Sequence, residues 1–333
     1  MSSSTSSKKE NIVLLGDGFF ARGFLHHINY NKFFITQIYR DDFINPQDLI
    51  YSLQRNIKYT SGFHIRDFIT KGPQKKIMTD IKKLEIIKTD NQTGNQIDIN
   101  NEYIYNYDYL VIGLGSQKSL HTWKNQINDL VDLKNKSVGI VGMGPSGVEL
   151  AMILSSQTSQ NKIHMFDMFT QDKVLNFLSV KNKNYILELI NQKNITTTFG
   201  KPFNGFEYKF DNILFCGGSK SNDVNININK GFYKGYDWGL NPFLQLTSYK
   251  NIYMGGDYIN RDFPKTAQVA YQQGAYVAKR LNGEIPSDET FNYKHNGSSI
   301  NIGNKKVLIE GHNIIPDGVY PDFIVKLYSM LCV

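Results

Sequence analysis

The chain has 333 residues, 41% of them hydrophobic and 20% charged, with net charge +7 and pI near 9.0, which supports two or three ordinary globular cores. Its scattered lysines form no dense basic block, so nucleic acid is not an expected partner, and no apolar run approaches the ~20 residues of a membrane span. The only cysteines, Cys216 and Cys332, stand far apart in no CxxC spacing, which excludes a disulfide scaffold and dithiol redox chemistry and suits a reducing, cytoplasmic compartment.

In chain order, the opening MSSSTSSKKE lacks an apolar stretch and reads as a disordered tail over 1–10. NIVLLGDGFFARGFLHHI then gives a short apolar strand over 12–15, the G-x-G-x-x-A spacing of Gly16, Gly18 and Ala21, and a helical pattern. In that order the glycines bring backbone close to a pyrophosphate and the helix N-terminus faces its charge. Asp17 lies inside this loop, so its carboxylate is expected to point outward, away from phosphate. The next strand, FFITQIY, ends without an acidic residue and leaves Asp41 or Asp42 as ribose partners.

KSVGIVGMGPSGVELAMIL repeats the arrangement with the full G-x-G-x-x-G spacing of Gly142, Gly144 and Gly147. The following strand, KIHMFD, closes on Asp167, whose carboxylate suits both ribose hydroxyls and repels a 2′-phosphate, favouring NADH over NADPH. Two such units predict an α/β protein with two Rossmann-like dinucleotide-binding domains, most simply one for FAD and one for NAD(P)H. The expected boundaries are 11–120 with 240–290 for the FAD domain, 121–239 for the NADH domain, and 291–333 for a C-terminal segment of β structure and an amphipathic helix. The seven histidines show no zinc spacing, and no metal site is expected.

Further on, PKTAQVAYQQGAYVAKRL reads as a helix with a smooth stripe, Ala267, Ala270, Gly274 and Ala278, over which a backbone or a flat ligand could lie. Gln268, Tyr271 and Gln272 share the neighbouring face, and Thr266 is placed to cap the start. Gln272 and Gln273 either serve a ligand or lie on an exposed face.

YDYLVIGLGS and DNILFCGG are similar to the paired strands by which two-dinucleotide flavoproteins enter and leave the nicotinamide domain, and NIYMGGDY resembles their late Gly-Asp motif. With GMGPSGVELA and the Pro-Thr-Ala-Gln type of helix, the chain from residue 11 to about 328 resembles the type II NADH dehydrogenases, single-subunit NADH:quinone oxidoreductases. The resemblance implies that Asp257 accepts from the flavin ribityl chain and that Gly115, Gly218, Gly256, Thr266 and Ala267 contact cofactor. It implies that the helix lies under the isoalloxazine and lines a quinone pocket. Gln268 and Tyr271 would then bond a quinone carbonyl, with Gln272 one turn on. Glu149 matches a glutamate that couples nicotinamide binding to proton delivery, its plainer role being to cap the second loop's helix. The partner so implied is a quinone or other small electron acceptor, and a homodimer is open.

Two features depart from the family. The stretch TTTFGKPFNGFEYKF is short, implying a missing hairpin. The end, YPDFIVKLYSMLCV, groups Phe323, Ile324, Leu327, Tyr328 and Leu331 on one helical face. That helix, within 320–333, either rests on a membrane surface or covers the domain, and membrane contact is the favoured reading. Two other functions stay open: a soluble NAD(P)H reductase of the ferredoxin-reductase or apoptosis-inducing-factor type, and a basic flavoprotein scaffold that has lost catalysis.

Overall fold

A computed structural model describes residues 8–40, 53, 72–87, 95–118, 135–157, 161–222, 224–228, 231–233, 239–259, 263–304, 306–309 and 315–316. Asp41, Asp42 and the expected 320–333 helix lie outside the described residues.

The first half begins with β1 (Glu10–Leu15), α1 (Phe19–His27), β2 (Phe33–Tyr39) and β3 (Lys75–Met78). Ile12, Val13, Leu14 and Leu15 are all buried, as an unbroken apolar run must be in a parallel strand covered on both faces. An antiparallel meander of β4 (Lys83–Ile87), β5 (Asn95–Ile99) and β6 (Tyr103–Tyr107) follows. The chain then re-enters the parallel sheet as β7 (Tyr109–Ile112) and leaves through β8 (Ser116–Lys118).

The second half is a smaller repeat of the same idea. It comprises β9 (Ser137–Val141), α2 (Pro145–Gln157), β10 (Lys162–Asp167), α3 (Val180–Gln192), β11 (Thr196–Phe199) and β12 (Asn212–Phe215). The four strands pair in parallel in the order β11-β10-β9-β12. Over the stretch with the short connection, Phe203, Tyr208 and Phe210 pack edge-on against Phe166, with Tyr208 and Phe210 also edge-on to His164, so an aromatic loop covers one sheet face.

The chain returns through β13 (Ser219–Ser221), antiparallel to β8 with Ser221 opposite Ser116, so both crossings run side by side. Next, β14 (Asn225–Ile228) and β15 (Gly231–Tyr233) extend the β4–β6 sheet, in the order β15-β14-β4-β5-β6. β14 and β15 therefore pair with the first half, whereas the sequence reading assigned them to the nicotinamide half. β16 (Gln245–Leu246) and β17 (Tyr249–Met254) complete the first sheet as β16-β17-β7-β1-β2-β3. A 3-10 turn (Gly256–Tyr258), α4 (Ala267–Asn282) and the strands β18 (Ser299–Asn301), β19 (Lys306–Ile309) and β20 (Ile315–Pro316) follow. Each half has its own core. The second includes Ile300, Ile302 and Leu308 of the C-terminal strands.

The small-residue stripe of α4 is covered by another backbone. A Cβ at Gly274 would fall 1.9 Å from the Phe20 carbonyl oxygen, and one at Gly23 would fall 2.0 Å from the Tyr271 carbonyl oxygen. α1 and α4 therefore cross with their main chains in contact, each through its own glycine. Gly274→Ala is expected to force the helices apart and to destabilise the protein by about 1–3 kcal/mol, read as a lowered urea midpoint at unchanged slope.

Candidate functional site

Both glycine loops leave their first strand in the same way. Gly16 (φ +109°) donates to the Ile38 carbonyl at 2.8 Å, and Gly142 (φ +106°) donates to the Phe166 carbonyl at 2.7 Å. A Cβ at Gly16 would meet the Gly113 oxygen at 2.2 Å, and one at Gly142 would meet Cys216 and Gly217 backbone at 2.8 Å, so the first position in each loop needs glycine on two counts. Gly18 and Gly144 have open space above them, with nothing within 4 Å of an added Cβ. At the third position Gly147 would collide with the Gly142 oxygen at 2.0 Å, and Ala21 is fully buried. An open second glycine at the start of a helix, between two closed ones, is a cradle for a pyrophosphate, and both loops fit one.

The loops differ in what backs them. Asp17 does not point outward: it is buried, and its Oδ1 lies 2.8 Å from Arg22 Nη2 and accepts from Gln37 Nε2 at 3.1 Å. The same amide of Gln37 donates to the Gly16 oxygen at 2.9 Å. The carboxylate is thus neutralised inside the fold, and the loop can approach phosphate without repulsion. In the second loop Asp167, at the end of β10, accepts from Met143 N at 2.7 Å and from Phe169 N at 2.9 Å, which aims its carboxylate along the loop. Tyr39 occupies the matching place in β2, because Ile38 and Phe166 hold the same register against β1 and β9. Gly115 (φ +71°) and Gly218 (φ +79°) flank the two crossings and also face open space.

The ends of β7 and β17 converge on the Phe20 ring, which a Cβ at Gly113 or Gly255 would strike at 2.3 and 2.2 Å. Past β17, Gly256 (φ +70°) donates its N–H to Gln273 Oε1 at 2.7 Å, and Ser116 Oγ donates to Asp257 Oδ2 at 3.2 Å. Gly256, Asp257, Phe263, Lys265 and Gln273 line a small cleft there. Thr266 caps α4, its Oγ1 accepting from Val269 N at 3.2 Å, and Ala267 begins the helix beside this cleft.

The polar face of α4 is not a single surface. Tyr271 is fully buried against α1, where its hydroxyl meets His26 Nδ1 at 2.9 Å, so it is turned away from the cleft. Gln272 clasps Lys294 with two backbone hydrogen bonds, Nε2 to O at 2.8 Å and N to Oε1 at 3.0 Å. Gln273, left open above between a ligand role and an exposed face, is buried at 1% exposure and is the glutamine that reaches the cleft. Gln268 is buried as well, with Oε1 accepting from Tyr293 Oη and from Asn296 N at 3.0 Å. Glu149, buried in α2, accepts from Asn301 N at 3.0 Å, so it fastens β18 to the second half. Arg22, Gln37, Tyr293 and His295 escaped the sequence reading. Of these only Arg22 left a signal, a cation on the helix five residues after an acid inside a phosphate loop.

A single cysteine is described, Cys216, and burial pushes its thiol pKa up, which leaves it inert as a nucleophile. Two nucleotide cradles on paired Rossmann-like halves, with no dithiol between them, define an NAD(P)H-dependent flavoprotein oxidoreductase. The pattern described as pyridine nucleotide-disulphide oxidoreductase matches residues 49–274, and the chain belongs to that family. Its cofactors are FAD and NADH. It is 25% identical over 338 residues to the NADH dehydrogenase-like protein YutJ of Bacillus subtilis, covering 89% of this chain and 91% of the relative. Its fold resembles NDH2 from Plasmodium falciparum (TM-score 0.67, 14% identity, 98% of this chain and 95% of that one). It also resembles the sulfide:quinone oxidoreductase of Aquifex aeolicus (TM-score 0.65, 12% identity, 96% and 90%). The likeness within the family is to type II NADH dehydrogenase-like proteins.

Two substitutions test the loops. Arg22→Gln leaves Asp17 uncompensated beside the phosphate cradle, and titration of the apoprotein should show FAD binding weakened at least about tenfold, with a stability loss of roughly 3–5 kcal/mol. Asp167→Ser tests the expectation that this carboxylate bars a 2′-phosphate: the ratio of kcat/KM for NADH over NADPH should fall about tenfold in steady-state assays.

Proposed function

We propose that the protein is a FAD-dependent NADH:quinone oxidoreductase, working without proton pumping. The observation that carries this reading is the shared cleft: the capped start of α4, Asp257 and the buried amide of Gln273 face one space at the ends of the first sheet's strands. The NADH dehydrogenase-like description of the Bacillus subtilis relative supports it, as does the quinone named for the Aquifex aeolicus enzyme of similar fold. Hydride transfer from NADH to FAD, then delivery of two electrons to a quinone, is the chemistry the bound nucleotides supply.

The chain's own residues bind, orient and polarise. Gly16, Gly18 and Ala21 cradle the FAD pyrophosphate, Gly115 gives it clearance, and Gly256, Asp257, Thr266 and Ala267 hold its far end. Gly142, Gly144, Gly147 and Gly218 receive NADH, with Asp167 on its ribose. The N–H groups at the start of α4 favour negative charge in the cleft, where charge gathers when electrons arrive. Gln268 positions the acceptor through the C-terminal segment it holds, and Glu149 ties that segment to the nicotinamide helix. Among the described residues no helix is long and apolar enough to cross a membrane, and contact of 320–333 with a membrane surface belongs to this reading as the way a quinone arrives.

Anaerobic NADH should bleach the yellow holoprotein, and a short-chain quinone should restore the colour rapidly. Fast reoxidation by an iron–sulfur protein but not by quinone would replace this reading with a protein-linked reductase. In stopped-flow experiments Gln268→Ala should slow the quinone step about tenfold while leaving bleaching by NADH at the wild-type rate.

A further inference from the structure

The C-terminal segment after α4 carries a hydrogen-bonded row that the reading above does not use. Tyr293 Oη donates to Gln268 Oε1. Its oxygen also meets His295 Nδ1 at 2.9 Å, and Ser298 Oγ lies 3.3 Å from His295 Nε2. Tyr293 has one proton, already given to Gln268, so His295 must donate through Nδ1–H, and in the neutral ring its Nε2 then accepts from Ser298. Every donor in the row then points the same way: Ser298 to His295, His295 to Tyr293, Tyr293 to the interior. The outer end is in water, since His295 is exposed, whereas Tyr293 is half-buried. The inner end lies near the α4 cap, because Gln268 stands two residues after Thr266, and Phe263 of the cleft is edge-on to the Tyr293 ring. Burial pushes the Tyr293 phenol above its ordinary pKa, against a smaller downward pull from Thr266, so at neutral pH it is a donor.

We propose that Tyr293 and His295 form a proton-entry relay that supplies the acceptor reduced beside the α4 cap. The inference rests on the quinone reading. Reducing a quinone to its hydroquinone takes two electrons and two protons; NADH brings two electrons and one proton as hydride, so the second proton comes from water. In the relay the Tyr293 O–H bond breaks as an O–H bond forms on the quinone oxygen, and the phenol regains its proton from His295 Nδ1. The imidazole is reprotonated at Nε2 from solvent, with Ser298 at the entrance, and proton exchange with water at the exposed ring returns it from the Nε2–H to the Nδ1–H tautomer before the next turnover, so the protein ends uncharged and unchanged. The row ends on Gln268 in the resting protein, and the acceptor oxygen takes that place when it binds.

The test separates the two half-reactions. His295→Ala, at an exposed position, should fold and bind FAD as the wild type does and be bleached by NADH at the same rate. Its reoxidation by a short-chain quinone should be at least about tenfold slower. Added imidazole should restore the rate, which a purely structural histidine would not allow. Tyr293→Phe, which keeps the ring against Phe263, should show the same slow step without imidazole rescue. Independently of turnover, 15N NMR of the wild type should report His295 as the Nδ1-protonated tautomer, lost in Tyr293→Phe. Wild-type reoxidation rates in both variants, absence of imidazole rescue in His295→Ala, or an Nε2-protonated His295 would overturn the relay alone. A wild-type protein that quinone does not reoxidise would overturn the functional reading, and the relay with it.

Discussion

Contact between the backbones of α1 and α4, made through Gly23 and Gly274, is the constraint from which the site follows. α1 begins at the first nucleotide loop, and α4 begins at the cleft beside Asp257. Side chains at the crossing would hold the axes apart and carry one start away from the other. With glycine at both contact points the two helix starts belong to one rigid unit, with Phe20 wedged between the glycines that end β7 and β17. An elongated dinucleotide spans such a unit naturally, its phosphates at one helix start and its ring at the other. The fully buried Tyr271, bonded to His26, completes the crossing and explains why that side chain serves packing.

A second constraint comes from the strap that follows α4. Within about a dozen residues it is held by Gln272 at Lys294, by Gln268 at Asn296, and by Glu149 at Asn301. Gln268 and Gln272 lie on α4, packed in the first half, and Glu149 lies on α2 of the second half. Displacing either helix must therefore move or break the same short segment. That gives a physical route by which a ligand bound at α2 would be felt at α4, through a continuous covalent strand fastened at both ends. Gly303 tightens the second fastening, because a Cβ there would fall 2.3 Å from the Met152 oxygen.

Both nucleotide loops were legible in the sequence because they depend on local requirements: a positive φ, clearance for phosphate and close helix packing each demand a small residue at a set spacing. The paired crossings and the Thr266 cap were legible for the same reason. The α4 side chains were not. A helical wheel groups Gln268, Tyr271 and Gln272, but which partner each meets is decided by α1 and the strap, with His26, Lys294 and Asn296 lying 245, 22 and 28 residues away in sequence. Gln273 stayed undecided, since an amide on a helix suits either solvent or a ligand until the Gly256 N–H is seen opposite it. Asp17 was misread because a carboxylate beside phosphate looks repulsive in isolation, and its neutralisation by Arg22 needs the helix to be built first.

The difference in backing between the loops also separates their roles. Behind the first stand a buried ion pair, the Gln37 amide and the α1–α4 crossing, all inside one core. Loosening that loop would leave buried charge and polar groups without their partners, a cost of several kcal/mol, so it is held in its binding geometry whether or not a nucleotide is present. The second is backed by Asp167, half-buried at a strand end and bonded to two loop amides, beside the exposed Met168 and Phe169. A loop supported at the surface can admit and release its ligand without disturbing a core. Unequal support of two similar cradles suits one nucleotide that stays and one that exchanges with each turnover, which is what a reductase with a resident flavin and a diffusing nicotinamide requires.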